Sequence, residues 1–217
     1  MCMLEELPSP GRWLDVPVFG TDGLGAEGLI CAMQLIFLRS SEWSKYDPVW
    51  LLETDIAAAF DNLSHDLVCR ALLSFGCDPI FVSAILFEMF RTKATIPLQG
   101  HCQVEGISLS KCIRQGGVEA CKLWTICIVY LLEPVVERWR SASVGFNVNG
   151  KMFNIVVWVD NIWLFATSWQ EMVDMGQEVS RALQPMLPWK PSSLKYVTTS
   201  EESRYKKSFT LPNFYEQ

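Results

Sequence analysis

The sequence predicts an α+β fold, an antiparallel sheet with helices packed on one face in the ferredoxin-like split β-α-β order. Three observations predict it. Two apolar runs, 153–159 and 162–166, are separated by only Asp160 and Asn161. β-Branched and aromatic runs joined by a short Asp/Asn link read as a tight hairpin, because those two residues tolerate the left-handed backbone of its turn. A further strand pattern, Pro48-Val49-Trp50-Leu51-Leu52, stands well upstream and runs toward Asp55. Capped helical patterns fall between and after these strands, giving the order strand, helix, strand, strand, helix, strand.

From Met1 to about Gly28 the chain is rich in Gly and Pro without periodicity and reads as a loop, and Leu29 to Glu42 reads as a helix. After the first strand, Ser64 to Phe75 is helical: Leu63, Leu67, Ala71 and Phe75 recur on one face, and Gly76 sits where a helix stops. Asp78-Pro79 starts the next helix, Asp as cap and Pro in the first turn, running to Arg91. Ala94 to Leu98 and Cys102 to Val104 fit a hairpin with Gln99-Gly100-His101 at its tip. Val118 to Arg140 is a long helix, bent or broken at Pro134. Behind the Asp160 hairpin, Ser168-Trp169-Gln170-Glu171 is a capping box, and Met172, Met175, Val179 and Leu183 form the apolar stripe of its helix. Leu194 to Thr199 is the last strand.

Half of the 217 residues are apolar, enough for one domain with a sizeable core. The net charge of −6 is a poor match to a phosphate backbone, so any nucleic-acid contact falls to a local patch drawn from Arg91, Lys93, Arg114, Lys122, Lys190 and Lys195. The cysteines form no Cys-x-x-Cys pair and read as free thiols in a reducing compartment. Glu5 and Glu6 argue against a secretory signal, and the apolar stretch Leu123 to Leu132 is too short for a membrane span. These features predict an intracellular protein, nuclear or cytoplasmic, without a membrane partner. His65 and His101 read as a surface turn residue and a loop residue.

Asp55 and Asp160 both fall at strand ends of one antiparallel sheet, where two carboxylates could hold a divalent metal. On pattern alone Asp55 also reads as a turn or helix-capping aspartate. The segment Asp55-Ile56-Ala57-Ala58-Ala59-Phe60-Asp61, with Asn62-Leu63-Ser64-His65 and the helix ending at Gly76, resembles the first palm motif of reverse transcriptases. Its form is that of the non-LTR (LINE-type) retrotransposon enzymes, Asp-x-x-x-Ala-Phe-Asp. Ile113-Arg114-Gln115-Gly116-Gly117 resembles their second motif, and Trp158-Val159-Asp160-Asn161 is similar to their third, aromatic-Ala-Asp-Asp. The three stand in family order, and the resemblance covers about Phe19 to Thr199. The chain departs from the pattern at Val118-Glu119-Ala120-Cys121, where the second motif continues Pro-Leu-Ser-Pro, and at Asn161, where the third has a second Asp. A family lysine entering the last palm strand leaves Lys195, or no residue, for its place.

The resemblance implies a polymerase palm over 48–199, a partial fingers region with an entry helix over 1–47, and a polar tail over 200–217, with no thumb. The missing fingers and thumb segments would belong to a longer parent protein. It also implies an RNA-directed DNA polymerase that uses Mg2+ or Mn2+ on Asp55, Asp160 and the Ile56 carbonyl, with Asn161 completing the catalytic set. Phe60 would select deoxynucleotides by excluding a 2′ hydroxyl, its plainer reading being a core phenylalanine. Arg114, Gln115 and Gly116 would form the floor under nucleotide and template, with an RNA template and a DNA primer as partners. The alternative is a truncated remnant of the same family without polymerase activity.

Overall fold

The computed structural model describes residues 16, 18–19, 25–42, 48–97, 103–114, 116–117, 119–148, 150–184, 186–187, 189–190 and 194–199. Within these the chain runs β1 (Val18–Phe19), α1 (Ala26–Glu42), β2 (Trp50–Asp55), α2 (Ala59–Asn62), α3 (His65–Ser74), α4 (Pro79–Arg91), β3 (Lys93–Pro97) and β4 (Gln103–Ser108). It continues with α5 (Ala120–Ser141), β5 (Phe146–Val148), β6 (Lys151–Phe153), β7 (Ile155–Trp158), β8 (Asn161–Ala166), α6 (Trp169–Leu183) and β9 (Lys195–Thr198). Among the described residues two units result, one of 16–57 with 131–199 and one of 58–130.

The first of these holds the main sheet, ordered β1-β7-β8-β2-β9. β2 is central and pairs antiparallel with β8 from Trp50↔Ala166 to Asp55↔Asn161, and with β9 from Trp50↔Thr198 to Glu53↔Lys195. Strand alternation sorts the side chains. Trp50 turns to the face covered by α6, where its ring meets Trp169 edge-on at 5.7 Å. Leu51, Phe165 and Val156 turn to the other face and cluster with Leu29 and Ile36 of α1. Helix α6 thus takes one face, and α1 supports part of the other. Leu52, Leu164 and Phe165 are fully buried, each contributing about 1.5–3 kcal/mol by the area removed from water.

Three details of this unit differ from the pattern-based reading. Val18–Phe19, expected as loop, pairs parallel with β7. The expected strand 153–159 is divided at Asn154: β6 before it pairs with β5, and β7 after it joins the main sheet. The helix α5 continues through Pro134, because Leu132, Val135, Val136 and Trp139 are all buried and hold the turn across the lost N–H. Ser168 caps α6 as expected, its Oγ accepting from Glu171 N at 3.2 Å. Glu171 does not reach back to Ser168; its Oε2 accepts from Thr167 N and Oγ1, and its Oε1 from Gly145 N.

In the other unit α3 packs on α4. Ser64 Oγ accepts from Leu67 N at 3.1 Å, and Gly76 terminates the helix at φ 80°. Asp78 Oδ1 accepts from Ile80 N at 2.7 Å, with Pro79 opening α4. β3 and β4 form the expected hairpin; its tip, with His101, lies outside the described residues. His65 is not a surface residue. It is 3 % exposed, edge-on to Phe90 at 5.0 Å, with Nε2 3.3 Å from the Cys112 carbonyl. Its place in the first turn of α3, on the side of the buried Leu67 and Val68, turns the ring inward. The cysteines among the described residues are free thiols. No helix among the described residues is long and apolar enough to cross a membrane.

Candidate active site

The hairpin carrying Asp160 is centred one residue earlier than its sequence suggests. Trp158 pairs with Asn161, so the two-residue loop is Val159-Asp160, and Asn161 opens β8. Pairing with β2 decides this: Asn161 stands opposite Asp55, and Ile56 N donates to the Asp160 carbonyl at 3.0 Å. The left-handed backbone therefore falls on Val159, at φ 52°. For a β-branched residue that conformation is strained by about 1–2 kcal/mol. Val159→Gly should raise the unfolding free energy by about 1 kcal/mol in urea melts, glycine's extra backbone entropy offsetting part of the relief. A less stable variant would show that the loop carries no strain.

This loop brings the two aspartates together. β2 ends at Asp55, which stands opposite Asn161, so Asp160 is its neighbour at the loop and feels its charge. Asn161 Nδ2 points to Asp160 Oδ1 at 3.5 Å, a long contact for a hydrogen bond. Ile56 is buried beneath them, tied by its N–H to the loop and bridged to Trp189. The same segment delivers a residue that pattern reading did not assign to the site: Lys190 N donates to the Asp55 carbonyl at 2.8 Å, and Lys190 Nζ stands 3.3 Å from Asp55 Oδ2. Lys195, weighed for the family lysine, lies opposite Glu53, farther along β2. The contact spans 135 positions, and the one signal for it in the sequence is that Lys190 itself lies in the run from Trp189 to Lys195 that leads into the last strand.

Burial is the first cause that pushes the Asp160 carboxyl above the ordinary carboxylate range. The charge and hydrogen bond of Asp55 add to it, while a backbone hydrogen bond and Lys190 pull the other way. A carboxyl whose pKa is higher in the folded state stabilises the fold while protonated. That contribution is complete below the unfolded value, about 4, and is lost as pH rises through the folded one. Asp160→Asn should therefore melt higher than wild type at pH 7, by up to about 1 kcal/mol for a partly exposed group. It should also flatten the loss of stability above about pH 4. A variant no more stable than wild type at pH 7 would show that ionised Asp160 is not under strain.

Among the described residues no three His, Cys, Asp or Glu side chains gather as a metal cluster. Two facing carboxylates are nonetheless the hard-oxygen set that suits Mg2+ or Mn2+, which take one or two carboxylates and fill other positions from water and substrate phosphate. Asp55 and Asp160 fit such an ion.

The remaining expected residues belong to the other unit. Phe60 lies in α2, half-buried, its ring 5.7 Å from that of Trp124. Its carbonyl accepts from Ile113 N at 2.9 Å, and the Leu63 carbonyl from Cys112 N at 3.0 Å. These bonds set the start of the second motif beside the end of the first. Arg114 follows, exposed, and Gly116 is exposed at φ 82°, a conformation that glycine adopts without strain. Gln115 lies outside the described residues.

An antiparallel sheet that presents acids at the tips of adjacent strands, backed by helices, has the architecture of a polymerase palm. The chain belongs to the reverse transcriptase (RNA-dependent DNA polymerase) family, whose profile matches residues 29–187. No curated protein matches it by sequence. Among solved structures it is similar to an apo telomerase from Candida tropicalis truncated from the C-terminal domain, with a TM-score of 0.63 and 5 % identity over 90 % of this chain. The apo telomerase from the same organism gives 0.61 and 9 % identity over 93 %. Telomerase from Candida albicans, in complex with a TWJ fragment of telomeric RNA, gives 0.53 and 10 % identity over 92 %. The chain spans 39 %, 36 % and 33 % of those chains. At such identities the likeness is one of fold.

Proposed function

We propose that the chain is the palm region of a reverse transcriptase from a non-LTR (LINE-type) retroelement, extending a DNA primer on an RNA template with deoxynucleotides. The observation that supports this most directly is the register that sets Asp55, at the end of β2, beside Asp160 in the β7–β8 loop. The subtype rests on the motif Asp55-Ile56-Ala57-Ala58-Ala59-Phe60-Asp61. An RNA partner accords with the telomerase relative held in complex with RNA.

In this reading Asp55 and Asp160 hold Mg2+ or Mn2+, with the Ile56 carbonyl as a further oxygen donor. When bound, the ions favour attack by the primer 3′ hydroxyl and neutralise charge on the pyrophosphate that leaves. The strained Val159 turn aims Asp160, and the β2–β8 ladder keeps Asp55 opposite Asn161. Phe60 excludes a ribose 2′ hydroxyl. Arg114 offers two parallel donors to phosphate, and Gln115 and Gly116 form a floor that a base can approach closely.

One observation favours the second reading, a remnant without polymerase activity. Asn161 turns an N–H donor toward Asp160, where an aspartate would add an anionic ligand. Primer extension on an RNA template with Mg2+ or Mn2+ separates the two. DNA product that accumulates with time supports the polymerase; well-folded protein that yields none supports the remnant.

A further inference from the structure

We propose that Lys190 is a built-in counter-cation of the acid pair, which makes metal loading depend on the polyphosphate of the incoming nucleotide. This rests on the reading of Asp55 and Asp160 as metal ligands. Three observations carry it. Lys190 Nζ lies 3.3 Å from Asp55 Oδ2, and Asp160 also feels its charge. The main chain places it there: Lys190 N donates to the Asp55 carbonyl, and Trp189, 5 % exposed, bridges Ile56. The Lys190 side chain itself is 55 % exposed against 23 % for Asp55, so the ammonium can swing into water while its backbone stays anchored. Lysine suits this because its charge sits at the end of a flexible stem and not in a planar fork.

The charges explain the dependence. With both aspartates ionised, one ammonium leaves the group with a net charge of −1, tolerable for a partly buried pair. A divalent ion added beside Lys190 would make the group net positive. It must therefore displace the ammonium or arrive with an anion, and the nucleotide's polyphosphate is that anion. Loading of metal without nucleotide is thereby disfavoured.

The test is Mn2+ binding to the full chain, followed by the electron paramagnetic resonance of free Mn2+, with and without a deoxynucleoside triphosphate. Lys190→Met should tighten Mn2+ binding in the absence of nucleotide by about three- to tenfold, the effect of removing one nearby like charge in a partly solvated site. Lys190→Arg, which keeps the charge, should bind Mn2+ as wild type does. With nucleotide present the Met and wild-type proteins should converge. Lys190→Gln supplies the same comparison if the Met variant folds poorly, and Asp160→Ala should remove the binding in either background. Binding that depends on Asp160 but is no tighter in Lys190→Met and Lys190→Gln overturns the role of Lys190 and leaves the metal site standing. Absence of Asp160-dependent binding in every variant overturns both.

Discussion

Asp160→Ala should abolish primer extension, with a fall of about a thousandfold or more. A bound divalent ion supplies several kcal/mol of charge stabilisation in phosphoryl chemistry, and about 1.4 kcal/mol corresponds to tenfold in rate. Asp160 sits at the loop tip against Asp55, so its removal leaves Asp55 facing Lys190 alone, an arrangement already neutral. Asn161→Asp should act in the opposite direction. Asn161 is directly across from Asp55 and adjacent to Asp160, and a carboxylate there adds a full charge at the acid pair. Without metal the change should destabilise the fold by like-charge repulsion; with metal it should raise affinity and extension by about tenfold, one unit charge at contact distance being worth about 1–4 kcal/mol before screening. Extension indifferent to Asp160→Ala would refute the assigned site. No extension in wild type or Asn161→Asp, from protein with an intact melting transition, would decide for the remnant.

Gly145→Ala should be the most damaging single methyl group in the sheet-bearing unit. Gly145 is buried at φ +113°, and a Cβ there would lie 2.5 Å from the Phe153 carbonyl oxygen, 2.9 Å from Asn154 Cβ and 3.0 Å from Asn154 Cα. Two of these are backbone atoms that cannot step aside without disturbing β6 and the Asn154 break. The Gly145 N–H also donates to Glu171 Oε1, whose other oxygen holds Thr167, so a shift would pull on the start of α6. Adding the left-handed penalty of about 1–2 kcal/mol to an overpacking cost of about 1–3 kcal/mol gives a loss of roughly 2–5 kcal/mol. Gly150→Ala is the matched control: its φ is +81° and nothing lies within 4 Å of the added carbon. It should lose only about 1–2 kcal/mol. Equal losses in urea melts would mean that the close approach at Gly145 contributes nothing.

The elements legible in the sequence are those whose signal is local. Ser64 before α3, Asp78-Pro79 before α4 and Ser168 before α6 each satisfy a backbone N–H within three residues, so a short window carries the whole argument. The β2 and β8 strands were legible as well, since their apolar runs bury on both faces in a central position. The family was legible because Asp55 to Asp61, Arg114 to Gly116 and Trp158 to Asn161 keep their order. The inward turn of His65 was not, because it depends on the Cys112 carbonyl and on Phe90, residues remote in the chain. The β5–β6 hairpin does carry a local signal, Asn149-Gly150 between two short apolar runs, which the reading of 153–159 as one strand leaves out. What no local signal marks is the passage from β6 to β7, where the buried Asn154, whose carbonyl accepts from Phe165 N, is the change of sheet.

By itself the sequence determined the caps, the apolar faces and the two aspartates at strand ends, because propensity, periodicity and turn chemistry act over a few residues. The tertiary structure decided where the Asp160 hairpin turns and which cation meets its acids. Local preference would have spent the left-handed turn on Asp160 and Asn161; the ladder between β2 and β8 moved it onto Val159 and put Asn161 opposite Asp55. Lys190 reaches Asp55 because the chain beyond α6 returns alongside the end of β2. Register and return paths are set by hydrogen bonds between strands remote in sequence, whose energies outweigh the strain of one misplaced valine.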